Sequence, residues 1–207
     1  MATFDPAELS PREVYGLLTD VVVPRPIAWV STIDEAGVSN LAPYSFFNGV
    51  CIHPALVMVA CARRPDGTSK DTARNAQQTG EMVIHVVTAE LAEAMNRSSA
   101  DHPPGVSELD LSGLPTAPCE RVRPPRIASA RVALECKLVE VVHPGGQPVD
   151  MLIGEIVFVH VRDDIARHDP PGVDPRGLDA VGRLGGIAYT HVREIFEMER
   201  PAKPAPP

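Results

Sequence analysis

Ser69-Lys70-Asp71-Thr72 places two hydroxyls and an ammonium within four residues, where a helical pattern begins. With Ser69 as N-cap, Lys70, Asp71 and Thr72 take the first three helical positions. Backbone N–H groups there lack intrahelical acceptors and the helix dipole is positive. An anion is stabilised at such an end, and this residue set suits a phosphate ester. Asp71 reads as a cap, because a carboxylate repels phosphate. On spacing alone an ordinary capped surface helix is the better account of the same residues. Arg25 stands between Pro24 and Pro26, which stiffen the chain just ahead of a strand pattern. Its guanidinium either reaches a phosphate bidentately or stays solvated, and the residues leave these readings equal. Ser31 and Thr32 end that strand pattern with side chains on opposite faces, so only one of them faces a ligand.

Other reactive side chains are dispersed. Seven histidines include no pair at i, i+2 or i, i+4 within one element, so no metal site is expected. His160, near the end of the 152–161 strand pattern, is the one histidine retained as a catalytic candidate, against a surface or core role as the better account. Four cysteines (Cys51, Cys61, Cys119, Cys136) form no Cys-x-x-Cys pair and read as structural thiols.

These groups need a scaffold, and the 207 residues suffice for one ordinary domain with a real core. Aromatics make up only 4%, so Val, Ile, Leu and Ala must build that core. The expected boundaries are one domain over residues 1–200 and a Pro-rich, fraying tail over 201–207. Ser10-Pro11-Arg12-Glu13 is a capping box that opens a short helix to about Thr19. Strand patterns cover 27–33, 55–61, 81–87, 130–142 and 152–161, the last two joined as a hairpin around Gly145-Gly146. Helical patterns cover 70–79, ending at Gly80, and 88–96, with Thr88 as N-cap. The fold class is mainly β with short helices, as a closed or half-open barrel rather than a parallel α/β sheet.

A formal net charge of −8 without basic clusters argues against nucleic-acid binding. No basic-then-apolar leader opens the chain, and no apolar run approaches the roughly 18 residues of a membrane span. A soluble, cytoplasmic protein is expected. The glycine pairs 145–146 and 185–186 do not join a strand to a helix, so no Rossmann dinucleotide unit is present.

The segment 40–48, Asn-Leu-Ala-Pro-Tyr-Ser-Phe-Phe-Asn, is too constrained by Pro43 for helix and too mixed for a core strand. Together with Pro24 to Ile33, Ser69 to Thr72, Asn96-Arg97-Ser98-Ser99, and Pro125 to Ala128 running into Ala133 to Cys136, it resembles the flavin reductase-like family. The resemblance covers most of the chain between about Val22 and Tyr189. It implies an FMN-binding split β-barrel with a half-open, Greek-key-like course. It also implies a homodimer with flavin at the subunit interface, where 183–189 contributes to the partner's site. Ser69 to Thr72 then hold the phosphate, Arg25 reaches it, and Ser31 or Thr32 faces the cofactor. Backbone amides near Ala42, Tyr44 and Ser45 lie along the flavin ring, with Pro43, Phe47 and Asn48 as further contacts. His160 would contact nicotinamide or a reduced anion. The implied function is NAD(P)H-dependent flavin reduction, with NAD(P)H a transient substrate. The alternative is a non-enzymatic flavoredoxin-type electron carrier served by a partner protein.

Overall fold

Seven runs of β-forming residues pair antiparallel into one continuous sheet in a computed structural model that describes residues 1–100, 102–103, 105–146 and 148–201. We label them β1 (Ala28–Ile33), β2 (Ser39–Tyr44), β3 (Phe47–Ile52), β4 (Ala55–Ala62), β5 (Glu81–Val86), β6 (Val132–Val142) and β7 (Val149–Val161). Their order across the sheet is β2-β1-β5-β6-β7-β4-β3. The two edge strands, β2 and β3, are consecutive in sequence and joined only by Ser45 and Phe46. A two-residue link cannot cross a flat seven-stranded sheet at 4.7–4.9 Å per strand, so the sheet must curl until its edges meet at that end. Phe46 O accepts from Ala60 N at 2.9 Å and fastens the junction. The result is the half-open barrel expected from the sequence.

Small and β-branched residues fill the barrel. Ala28, Val30, Val59, Cys61, Met82, Ile84, Cys136 and Leu152 are fully buried in one cluster, with Tyr44 and Phe47 against it. Gly154 sits at a register shift of the β6–β7 pair, where a Cβ would collide with Met82 Cε. A side chain there would have to displace the buried Met82 terminal methyl, which favours glycine at the bulge. Outside the barrel, Trp29, Leu41, Leu91, Met95, Leu109 and Ile127 form a second cluster. Helices α3 (Ala92–Arg97) and α4 (Glu108–Leu111) supply part of it.

The capping box at Ser10 is present with both reciprocal bonds, and its helix α1 runs from Pro11 to Val21, two residues beyond Thr19. Helix α2 covers Asp71–Thr79 and ends at Gly80 in the left-handed conformation, φ 73°. The 88–96 expectation is corrected: one 3-10 turn over Ala89–Leu91 precedes α3. Thr88 makes no side-chain cap there, and its hydroxyl is buried without a partner. A three-stranded sheet of Arg25–Pro26, Val181–Arg183 and Tyr189–His191 lies beside the main one. No helix among the described residues is long and apolar enough to cross a membrane. The tail expected over 201–207 lies, beyond Pro201, outside the described residues.

Candidate functional site

The loop that enters α2 is held from both sides. Arg64 Nη1 donates to Ser69 O at 2.6 Å, and its Nη2 donates to Asp71 Oδ2 at 2.7 Å. Asp150, fully buried on β7, accepts from Ser69 Oγ at 2.7 Å and from Arg63 Nη2 at 2.6 Å. Burial pushes the Asp150 carboxyl up, and the Arg63 and Ser69 bonds outweigh it, so its pKa lies below the usual range. Two details of the sequence reading change. Lys70, not Ser69, is the N-cap residue of α2, because Ser69's hydroxyl is spent on Asp150. Asp71 makes no capping bond and is ion-paired to Arg64 and Arg74.

Beside this loop a groove runs along the edge strand β2. Its first part, a cavity of about 170 Å³, is lined by Asn40, Ala42, Pro43, Tyr44, Arg64, Lys70, Asp71 and Thr72, together with Ser98, Ser99, His102 and Glu108. The second part, about 220 Å³, shares Pro43, Tyr44 and Ser99 with it and adds Tyr15, Ser45, Asn96, Arg183 and Tyr189. The backbone of the edge strand β2 borders the groove, with no N–H at Pro43. Thr72 and Asn40 share a 2.8 Å hydrogen bond, and the Asn40 amide also reaches Glu108 Oε2 at 3.2 Å. Burial raises the Glu108 carboxyl above its ordinary value. Burial likewise lifts the Tyr44 phenol, whose hydroxyl bonds to Thr72 and Cys61. The first part is a polar corner with cations and hydroxyls. The second is lined by three tyrosines, Tyr15, Tyr44 and Tyr189. Such a groove accepts an elongated ligand with an anionic end and a planar, polar-edged end.

Several expected positions fall elsewhere. Arg25 is corrected from ligand to cross-link. Its guanidinium is 5% exposed and donates to Thr19 O at 2.5 Å, Val22 O at 2.9 Å, Leu184 O at 3.0 Å and Ser45 Oγ at 3.3 Å. Ser31 and Thr32 do face opposite sides, but neither lines the groove. Ser31 Oγ donates to Pro125 O at 2.7 Å outside the barrel, and Thr32 Oγ1 accepts from Asn75 Nδ2 at 3.3 Å inside. Phe47 and Asn48 turn away into a separate apolar hollow of about 540 Å³, lined also by Leu18, Val22, Met58 and Met151. His160 binds Glu135 Oε1 at 2.6 Å on another face of the molecule and lines neither part of the groove. The 183–189 segment brings Arg183 and Tyr189 into this chain's own groove, with the guanidinium 4.4 Å from the Tyr189 ring centroid.

Ser99 and Asn96 were visible in the Asn96-to-Ser99 motif, although no role was assigned to them. Arg64 stood out only as half of a basic Arg63-Arg64 pair, and His102 and Glu108 carried no signal. The last two belong to a Pro-rich connection whose path depends on the packing of α4 against β2.

Comparison with known proteins agrees with this architecture. A profile described as the flavin reductase like domain matches residues 21–178. An uncharacterized protein of Halalkalibacterium halodurans is 44% identical over 201 residues, covering 95% of both chains. The crystal structure of nitrilotriacetate monooxygenase component B from Bacillus cereus aligns with a TM-score of 0.90 at 34% identity, over 96% of this chain and 98% of that one. Pseudomonas fluorescens 2-nitrobenzoate 2-nitroreductase aligns with a TM-score of 0.89 at 30% identity, over 98% of each chain. A half-open barrel whose edge strands meet at Ser45-Phe46, and a profile match across most of the chain, have one conclusion: the chain belongs to the flavin reductase-like domain family and has its split-barrel fold.

Proposed function

We propose that this protein binds FMN in the β2 groove and catalyses NAD(P)H-dependent flavin reduction as a homodimer. The observation that carries the reading is the asymmetry of the groove. Lys70, Arg64 and Thr72 stand at one end, and edge-strand backbone with Tyr15 and Tyr189 at the other. That donor set fits a phosphate ester followed by a planar ring with polar edges. The names of the two enzymes at TM-scores of 0.89 and 0.90, a nitroreductase and a monooxygenase component, suit a redox role.

Bound flavin supplies the hydride acceptor, which the protein itself lacks. Lys70 neutralises the phosphate. Backbone amides near Ala42, Tyr44 and Ser45 orient the ring and stabilise the charge that builds on it. The aromatic walls exclude water from one ring face and leave the other to nicotinamide. No acid–base pair is required of the chain. The apolar hollow at Phe46 and Phe47, with Leu18 and Val22 exposed beside it, supports a second copy as its cover.

Anaerobic mixing of flavin-loaded protein with NADH or NADPH tests the reading. Bleaching of flavin absorbance with matching nicotinamide oxidation is expected. Tight flavin binding without reduction by either nucleotide would favour the electron-carrier alternative.

A further inference from the structure

On the outer face of the β6–β7 hairpin, away from the groove, three reactive side chains converge. Glu135 comes from β6, His160 from β7, and Cys119 from the connection before β6. One ligand atom of each lies within 4.8 Å of the other two, and His160 Nε2 is 2.6 Å from Glu135 Oε1. Glu135 is fully buried, as such a carboxylate seldom is. Its oxygens accept from the backbone amides of Glu120 at 2.8 Å and Arg121 at 2.6 Å, which fix its orientation. The His160 ring leans on Phe158, with centroids 5.0 Å apart. Neither the groove nor the proposed flavin chemistry uses any of the three.

We propose that Cys119, Glu135 and His160 bind a divalent cation of the zinc class, through Sγ, one carboxylate oxygen and Nε2. A thiolate, an imidazole and a carboxylate are a zinc ligand set, and three protein ligands leave a fourth position for water. His160 also lines a cavity of about 360 Å³ with Arg126 and Arg162, which gives that position access to solvent. Tetrahedral ligands at zinc lie roughly 3.2–3.8 Å apart. His160 and Glu135 therefore separate by about an ångström, and Cys119 closes in. The amides of Glu120 and Arg121 already hold the carboxylate, as outer-shell donors do at metal sites. Nearby charge is balanced. The cation with one thiolate and one carboxylate is neutral, so Arg126 beside it is not repelled, and Arg162 is already paired with Asp164 and Glu90.

Binding through the thiolate displaces the Cys119 thiol proton to solvent. His160 ligates through Nε2 with its remaining ring proton on Nδ1, and no electron moves.

Titration of the full metal-free chain with cobalt(II) tests the site. One equivalent should produce visible d–d bands and a near-ultraviolet thiolate-to-cobalt band. Cys119→Ser, a conservative change, should abolish the thiolate band while circular dichroism and flavin binding stay unchanged. Zinc should raise the melting temperature of the native chain and not that of the variant. No thiolate band at about tenfold excess cobalt would overturn the proposal and leave the trio as a clasp for the 119–121 connection. A band that persists in Cys119→Ser would overturn it equally, by assigning the metal to another cysteine.

Discussion

Ser69 donates its hydroxyl to Asp150 Oδ2 at 2.7 Å across 81 residues of sequence. This bond ties the entry to α2 to the first residues of β7, beside the Arg63 bonds to the same carboxylate. Lys70, the next residue, is thereby placed at the groove with little freedom of backbone, which is what a charge that must meet a ligand requires.

Arg25→Ala should act on the fold and not selectively on the ligand. Removing the guanidinium strips the carbonyls of Thr19, Val22 and Leu184 of a shared donor, at a cost of about 2–4 kcal/mol. Chemical denaturation should show that loss. FMN and riboflavin affinities should fall together if they fall at all.

Glu108 places a carboxylate in the Lys70 part of the groove, and burial raises its pKa. As pH falls through that raised value the charge disappears, so FMN affinity should rise on mild acidification. The same residue makes the fold lose stability as pH rises from the ordinary glutamate range to the raised value, because the folded state holds the proton longer. Glu108→Gln should tighten FMN at neutral pH by a few-fold and flatten both profiles, as fluorescence titration across pH would show.

His85 is fully buried between Trp29 O, 2.8 Å from Nδ1, and the Ile127 amide, 3.0 Å from Nε2. The amide must donate, so the ring is neutral with its proton on Nδ1. Burial depresses its pKa to about 4. The unfolded chain takes up a proton near 6.5, so stability is complete above that pH and declines towards pH 4, by about 3 kcal/mol. Denaturation at pH 7 and at pH 4.5 should show the decline, and His85→Gln should reduce it.

How much of this was legible in the chain depended on the distance over which each feature is decided. Local chemistry was readable: the Ser10 capping box, the Gly80 terminator and the five main strand patterns rest on neighbours within a few residues. Lys70, Thr72 and Ala42 to Ser45, singled out by the family resemblance, line the groove. Roles set by remote partners were not readable. Arg25 turns inward because Leu184, 159 residues on, needs a donor. Phe47 and Asn48 leave the groove because the chain changes sheet edge at Ser45-Phe46. His160 meets a carboxylate 25 residues earlier only through the β6–β7 register.

The most direct test of the central claim, that the Lys70 end of the groove holds the flavin phosphate, is to titrate Lys70→Ala with FMN and with riboflavin. Loss of a charge-assisted contact worth about 1.5–3 kcal/mol should weaken FMN roughly ten- to a hundred-fold. Riboflavin has no phosphate, so its weaker binding should stay as it is in the native protein. Equal weakening of both flavins, or of neither, would contradict the account.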